Sequence, residues 1–340
     1  MKNLSRIVRD ADQRRKRCIS AVEVLSEINR EVVTSCNICG EKNILIVSNL
    51  DRYGFPLRAG MCTNCGLIFL IDRLTADGYA EFYKNHYRSL VSAYLGRLQN
   101  AATIQAEQKQ YAQTLLALFK GLMPLKPGDK LLDVGGSTGV IASEFANAYG
   151  LSATVLDPSP DELEVAKSAG HKTICALFES WSGNSDPFDV VVCCRTIDHF
   201  LDLKDSLSKL LSLCKPSGYV LIDIIDVEAV RRRAMLEGAI KVDHCYYLCA
   251  EVAPAILASA GFQVLGAELV SHLDRVTYLC CPSSMPAVEI ASPQVWLMQR
   301  VRDIQQARLD QLEAKRQPYS TWDMLHRQAY RLKRKLIGGA

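Results

Sequence analysis

From Lys130 to Cys281 the chain alternates short apolar runs with stretches of helical spacing, and this alternation constrains the fold more than any other feature. Strands are predicted at 130–134, 153–157, 172–175, 188–194, 219–225, 262–270 and 275–281, with helices near 139–149, 160–169, 203–213 and 249–260. Strand–helix alternation builds an open, mostly parallel α/β sheet, because each helix returns the chain to start the next strand in the same direction. The expected fold class is therefore α/β, a doubly wound sheet of seven strands with helices on both faces. The last two strands are joined only by 271–274, too short for a crossover, so they are expected to pair antiparallel at one edge.

The first strand runs into a glycine turn, Leu131-Leu132-Asp133-Val134-Gly135-Gly136-Ser137-Thr138-Gly139, and a helix follows. A strand, a glycine turn and a helix form the nucleotide-binding element of doubly wound folds. The spacing does not match G-x-G-x-x-G, and no G-K-[ST] makes it a phosphate loop. The pattern is D-x-G-x-x-x-G, with an acid at the strand end. A pyrophosphate would be repelled by that carboxylate, whereas a sulfonium compound carrying an ammonium group tolerates it. Asp157 ends the second strand, where an acid can accept hydrogen bonds from both hydroxyls of a ribose.

This segment resembles motif I of class I S-adenosylmethionine-dependent methyltransferases. The order Phe188-Asp189-Val190-Val191, then Lys215-Pro216-Ser217-Gly218 before the fifth strand, resembles the same enzymes over about residues 120–281. The resemblance implies a Rossmann-like sheet that binds S-adenosylmethionine and releases S-adenosylhomocysteine. It implies that Gly135, Gly136 and Gly139 let the backbone approach the methionine portion, which Asp133 orients, and that Asp157 holds the ribose. Leu177 and Phe178, after the third strand, become candidates for adenine contact. Arg195, at the end of the fourth, becomes a further cofactor-binding candidate. Ser137 stands where many members have glycine.

Cys36-x-x-Cys39 and Cys62-x-x-Cys65 form a second motif, with Gly40 and Gly66 following the second cysteine of each pair. Two C-x-x-C knuckles supply four thiolates, the set that holds a structural Zn2+ tetrahedrally. With all four positions filled by protein, the expected role is folding a segment too small to hold its own core. The other nine of the thirteen cysteines are read as core or incidental residues. An odd cysteine count with no export signal in the charged N-terminal run makes reduced thiols and a cytoplasmic location the expectation.

The two knuckles, with Leu50-Asp51-Arg52-Tyr53-Gly54-Phe55-Pro56-Leu57 between them, resemble the zinc-binding domain of bacterial sugar methyltransferases. That implies a sugar or surface-glycan precursor as acceptor, nucleotide- or lipid-linked. Where carbon-methylating members carry Tyr-His-Glu-His, this chain has Lys241-Val242-Asp243-His244. Only the acid–histidine pair is kept, so O-methylation is as well supported as C-methylation. His244 is the candidate general base, with Asp243 beside it and His199, after the fourth strand, as a second catalytic candidate. The aromatic segment Phe82-Tyr83-Lys84-Asn85-His86-Tyr87-Arg88 is read either as a lid or as packing between the cysteine module and the sheet.

The boundaries expected are a basic helical extension at 1–35, the four-cysteine zinc-binding module at 36–72, a helical linker or lid at 73–125, the cofactor-binding domain at 126–285 and a basic helical tail at 286–340. The charge is polarised: residues 1–17 carry +5 and residues 293–340 carry +6, leaving −8 for the middle of a chain whose total is +3. An acidic body argues against a nucleic-acid partner. The basic ends point to an anionic surface or partner. Trp322, Leu325, Ala329, Leu332 and Leu336, beside Arg327, Arg331 and Lys333–Lys335, read as a basic amphipathic helix. It would lie on the inner membrane face, pack on the body or pair in a homo-oligomer. Two other functions fit the pattern: an RNA methyltransferase with a zinc knuckle, and a non-catalytic cofactor-binding scaffold in a glycan-assembly complex.

Overall fold

The computed structural model describes residues 2–183, 186–233, 236–270 and 274–283, with positions 303, 306 and 310. The predicted tail helix around Trp322–Leu336 lies outside the described residues. The chain opens with α1 (Lys2–Leu25), and β1 (Arg30–Val32) follows. The cysteine segment contributes β2 (Ile44–Leu50), β3 (Pro56–Cys62), β4 (Ile68–Leu70) and β5 (Asp72–Leu74). Three helices come next: α2 (Ala76–Asn85), α3 (Tyr87–Leu95) and α4 (Ala101–Phe119). In α1, Cys18 and Leu25 are buried while Ile19 faces out. Arg17 anchors the helix on α3 by donating to the carbonyls of Ala93 and Tyr94 at 2.8 and 2.5 Å.

The large sheet begins with β6 (Lys130–Val134), α5 (Val140–Tyr149), β7 (Ser152–Asp157), α6 (Pro160–Ser168) and β8 (Lys172–Cys175). It continues with β9 (Phe188–Cys193), α7 (Leu203–Leu213) and β10 (Cys214–Ile225), then the short helices α8 (Val227–Arg233) and α9 (Leu236–Ala239). After β11 (Tyr246–Tyr247) come α10 (Ala253–Ser259), β12 (Phe262–Val270) and β13 (Arg275–Pro282). The seven strands lie in the order β12-β13-β10-β9-β6-β7-β8. Pairing is parallel from β10 to β8, and antiparallel for β12–β13 and β13–β10, as the short link demanded.

The period of two along each strand separates two cores. Val190 and Val192 of β9 pack with Leu115, Phe119 and Phe145 of α4 and α5, whereas Val191 and Cys193 pack with Leu207 and Leu210 of α7. A buried phenylalanine such as Phe145 is worth about 3–5 kcal/mol against alanine. The chain moves outward from β6 to β8 and resumes at β9 on the other side of β6. The switch point therefore lies between β6 and β9, and a crevice opens at their carboxyl ends.

Two departures from the sequence expectation matter. Strand β10 starts five residues early, at Cys214, with a register shift before Tyr219. Gly218 is needed there, because a Cβ would come within 2.8 Å of the Asp189 carbonyl. The second departure is β11, unread in the sequence. It does not join the large sheet but completes the module's sheet, in the order β11-β4-β3-β2.

Candidate active site

The turn after β6 is shaped by its own backbone. Gly135 and Ser137 have φ of +67° and +52°. A Cβ at Gly135 would come within 2.3 Å of the Thr196 hydroxyl, and one at Gly136 within 2.7 Å of the Asp133 carboxylate. Gly139, at +72°, caps α5. Asp133 is buried, accepts the Ala142 amide at 3.3 Å through Oδ2, and leaves Oδ1 with no hydrogen-bond partner. Burial raises its carboxyl to about 7, with nearby Asp157 adding to the effect. Asp157 accepts the amides of Ser137 and Ser159, both at 2.9 Å, through different oxygens. Each oxygen keeps a free lone pair for a ribose hydroxyl. Burial raises this carboxyl too.

Three further groups close around the turn. Glu162, in the first turn of α6, receives both the Ser137 hydroxyl and the Arg88 guanidinium from α3. Gln108 of α4 accepts from Thr138 at 3.2 Å. Tyr111 of α4 donates to Asp223, which also accepts Arg275 at 3.0 Å and the Arg195 amide. Arg195 is exposed, with a left-handed φ of +61° and its guanidinium 5.8 Å from the Tyr111 ring. Of the two adenine candidates, Leu177 is half-buried at the turn, while Phe178 is buried against Phe200, ring centroids 5.2 Å apart. The buried Asp133 Oδ1 without a partner, the turn where side chains are excluded and the paired acceptors of Asp157 fit the methionine and ribose ends of S-adenosylmethionine.

Beyond the ends of β9 and β10 lies a buried polar cluster. His244 Nδ1 lies 2.6 Å from Asp198 Oδ2, and its Nε2 lies 2.6 Å from the Lys241 ammonium. An ammonium can only donate, so Nε2 carries the lone pair and Nδ1 the hydrogen, facing Asp198. Burial pushes the His244 imidazole down to about 4 and the Lys241 ammonium down to about 8. Burial opposes ionisation of Asp198, but the two histidines outweigh it and hold the carboxyl well below the usual range. Asp243 Oδ2 stands 3.5 Å from His244 Nε2.

His199 is the more open ring of the pair, its side chain 25% exposed against 5% for His244, and the ring centroids are 4.4 Å apart. Its Nδ1 lies 2.7 Å from the Tyr83 hydroxyl, which also stands 3.2 Å from the Asp243 carbonyl. Tyr83 thus fixes His199 through Nδ1, and His199 Nε2 lies 3.9 Å from Asp198 Oδ1. Tyr83 and Tyr87 stand edge to face at 5.4 Å and wall this side. Of the aromatic segment 82–88, His86 sits at the α2–α3 junction near Glu81. Tyr83, one turn earlier, is the residue that reaches the site. That Asp198 faces the His244 ring and Lys241 covers its other nitrogen was not legible in sequence, because both contacts form only once the loops fold together.

The four cysteines of the second motif converge. Cys36 and Cys65 sulfurs are 3.6 Å apart, and Cys39 and Cys62 are 3.5 Å apart. Four thiolates at about 2.3 Å from Zn2+ would stand about 3.8 Å from one another. Both knuckles make the same turn: Gly40 and Gly66 donate to the carbonyls of Cys36 and Cys62 at 2.8 and 3.0 Å, with φ of +74° and +77°. The amides of Asn64 and Cys65 face Cys62 Sγ at 3.4 Å. The donor set and its spacing fit a tetrahedral zinc. None of the thirteen cysteines is bridged. Among the described residues, no helix is long and apolar enough to cross a membrane.

Comparison with known proteins agrees with this geometry. Residues 104–267 match the family model described as a methyltransferase domain. The mitochondrial ubiquinone biosynthesis O-methyltransferase of Schizosaccharomyces pombe is 32% identical over 108 residues, 29% of this chain and 38% of that protein. The enzyme of the same name from Vibrio campbellii is 33% identical over 106 residues, 29% of this chain and 45% of its own. The chain thus spans less than half the length of these curated relatives. A solved S-adenosylmethionine-dependent methyltransferase from Clostridium acetobutylicum is similar at 14% identity and a TM-score of 0.42, over 52% of this chain and 92% of that one. The seven-stranded sheet and its glycine turn form a Rossmann-like methyltransferase fold, and residues 104–267 within it match the methyltransferase-domain family.

Proposed function

We propose that the protein transfers the methyl group of S-adenosylmethionine to a hydroxyl oxygen of its acceptor, with His199 as general base. The observation that carries this reading is the placing of His199. Its side chain is 25% exposed against 5% for His244, Tyr83 holds its Nδ1 at 2.7 Å, and the Asp198 carboxylate stands 3.9 Å from its Nε2. His244 and Asp243, the first candidates from the sequence, take a supporting part: His244 Nε2 is covered by Lys241, and the ring backs His199. When bound, the cofactor supplies an electrophilic methyl group. The chain's residues do the rest. Asp157 and the glycine turn hold and orient the cofactor, the aromatic wall of Tyr83 and Tyr87 limits water, and His199 takes the hydroxyl proton as oxygen attacks. Asp198, ionised beside both rings, stabilises the imidazolium that forms.

Cys36, Cys39, Cys62 and Cys65 hold a structural Zn2+ in this reading, and thirteen unbridged thiols suit a reducing cytoplasm. The module's resemblance to sugar methyltransferases favours a sugar or glycan-precursor hydroxyl. The relatives are named ubiquinone biosynthesis O-methyltransferases, which favours a hydroxyl of a ubiquinone precursor and supports transfer to oxygen. The test is transfer of labelled methyl from S-adenosylmethionine to a panel of nucleotide sugars and catechols, run with wild type and His199→Asn. Labelling of an acceptor oxygen by wild type and its collapse in the variant are expected. Labelling undiminished in His199→Asn removes the base assignment, and labelling of carbon or nitrogen alone removes O-methylation.

A further inference from the structure

Residues 238–248 follow β10 in the large sheet and keep bonds to it, the Cys245 amide donating to the Asp198 carbonyl at 2.8 Å, but many of their hydrogen bonds run to the four-cysteine module. Tyr246 and Tyr247 pair with Phe69 and Ile68 of β4, and the Leu70 amide donates to the Cys245 carbonyl at 2.9 Å. The Arg52 amide donates to the Ile240 carbonyl at 2.9 Å, and the Arg52 guanidinium grips the Gly238 carbonyl at 3.0 and 2.6 Å. At the tip of the loop, Asp51 Oδ2 accepts the Val242 amide at 3.1 Å, while the Tyr79 hydroxyl donates to the Val242 carbonyl at 2.7 Å. Asp51 Oδ1 accepts the amides of Tyr53 and Phe55, both at 2.8 Å. Asp51 is wholly buried.

We propose that Asp51 is a positioning residue: from the hairpin of the four-cysteine module it fixes the backbone that carries Asp243 and His244, so the module is the mould of the acceptor side of the site. The consequence for catalysis rests on the methyl-transfer reading above; the holding of the loop does not. Val242 lies between Lys241 and Asp243, so a shift at its amide moves the whole set that faces Asp198 and His199. The chemistry demands a carboxylate. Three backbone N–H groups converge on two acceptor oxygens, and an amide in their place would turn an NH2 group against at least one donor.

The experiment uses full-length protein with its metal, as wild type, Asp51→Asn and Asp51→Ala. Three quantities are measured: hydrogen–deuterium exchange, the NMR ring signals of His199 and His244 (assigned with His199→Asn and His244→Asn), and S-adenosylhomocysteine affinity by calorimetry. Exchange in 238–248 is expected to rise about tenfold or more, and both ring signals to move. Exchange in 130–160 and the affinity should stay within about twofold of wild type. Ring signals and 238–248 exchange matching wild type overturn the proposal, as does an equal rise across 130–160. Should the variants not fold, wild type stripped with a chelator gives the same decision. Opening of 238–248 ahead of 130–160 upholds it, and an unchanged 238–248 after metal loss overturns it. Wild type that fails to bind S-adenosylhomocysteine refutes the methyl-transfer reading instead, and the exchange data still decide the loop.

Discussion

The two halves of the site are built in opposite ways. On the cofactor side, the turn from Asp133 to Gly139 and the acid at Asp157 are joined by local backbone bonds. The Gly135 amide reaches the Leu156 carbonyl across 21 residues and the Ser137 amide reaches the Asp157 carboxylate across 20. On the acceptor side the decisive contacts are distant in sequence: 116 residues from Tyr83 to His199, 160 from Tyr83 to Asp243, and 191 from Asp51 to Val242. The first half can be written in a short motif because a glycine turn and a strand-end acid are local requirements. The second needs the whole fold, since it is assembled where a small antiparallel sheet meets the crevice of a parallel one. Substitutions in one half should therefore leave the other intact, and each prediction below tests that separation.

The largest effect is expected from Gly136→Val. Its side chain would enter the space held by the Asp133 carboxylate and Val155. Affinity for S-adenosylhomocysteine should fall by about 100-fold or more by calorimetry, while the exchange pattern of 238–248 stays as in wild type. Next comes His199→Asn, expected to lower the turnover rate by roughly 10²–10⁴-fold with cofactor affinity within about twofold. A parallel loss of cofactor affinity would show that the two halves are not separable. Tyr83→Phe removes the hydroxyl that holds His199 Nδ1 and frees the ring to turn; a loss of about tenfold in turnover is expected, again with cofactor affinity kept.

The smallest effect is on stability. Asp133 keeps its proton up to about pH 7 in the folded chain, whereas an unfolded chain releases it near 4. The folded state therefore holds the extra proton across that interval. The contribution to stability is complete below about pH 4 and is lost as pH rises towards 7. Asp133→Asn is neutral throughout, so its Tm should fall less between pH 5 and pH 8 than that of wild type. Equal falls would mean that the Asp133 carboxylate is not buried in a dry site.

These contrasts also explain what could be read beforehand. The seven strands followed from short, nearly continuous apolar runs such as 188–193, and the hairpin at β12–β13 from a link too short to cross over. Motif I and the four cysteines announced themselves because their spacing is fixed by backbone and ligand geometry. Residues 246–247 carried no such signal: a two-residue strand pairs only because β4 is already in place. The surroundings of the two histidines were hidden for a related reason. Asp243-His244 stands out in sequence, but that Lys241, three residues back, folds over the His244 ring and that a tyrosine on another helix holds His199 are consequences of the fold.

Calorimetric titration of S-adenosylhomocysteine into wild type, Asp157→Ala and His199→Asn puts the central claim to the most direct test. The account predicts one saturable site per chain in wild type and His199→Asn, and its loss in Asp157→Ala. No heat with wild type, or unchanged binding in Asp157→Ala, would contradict it.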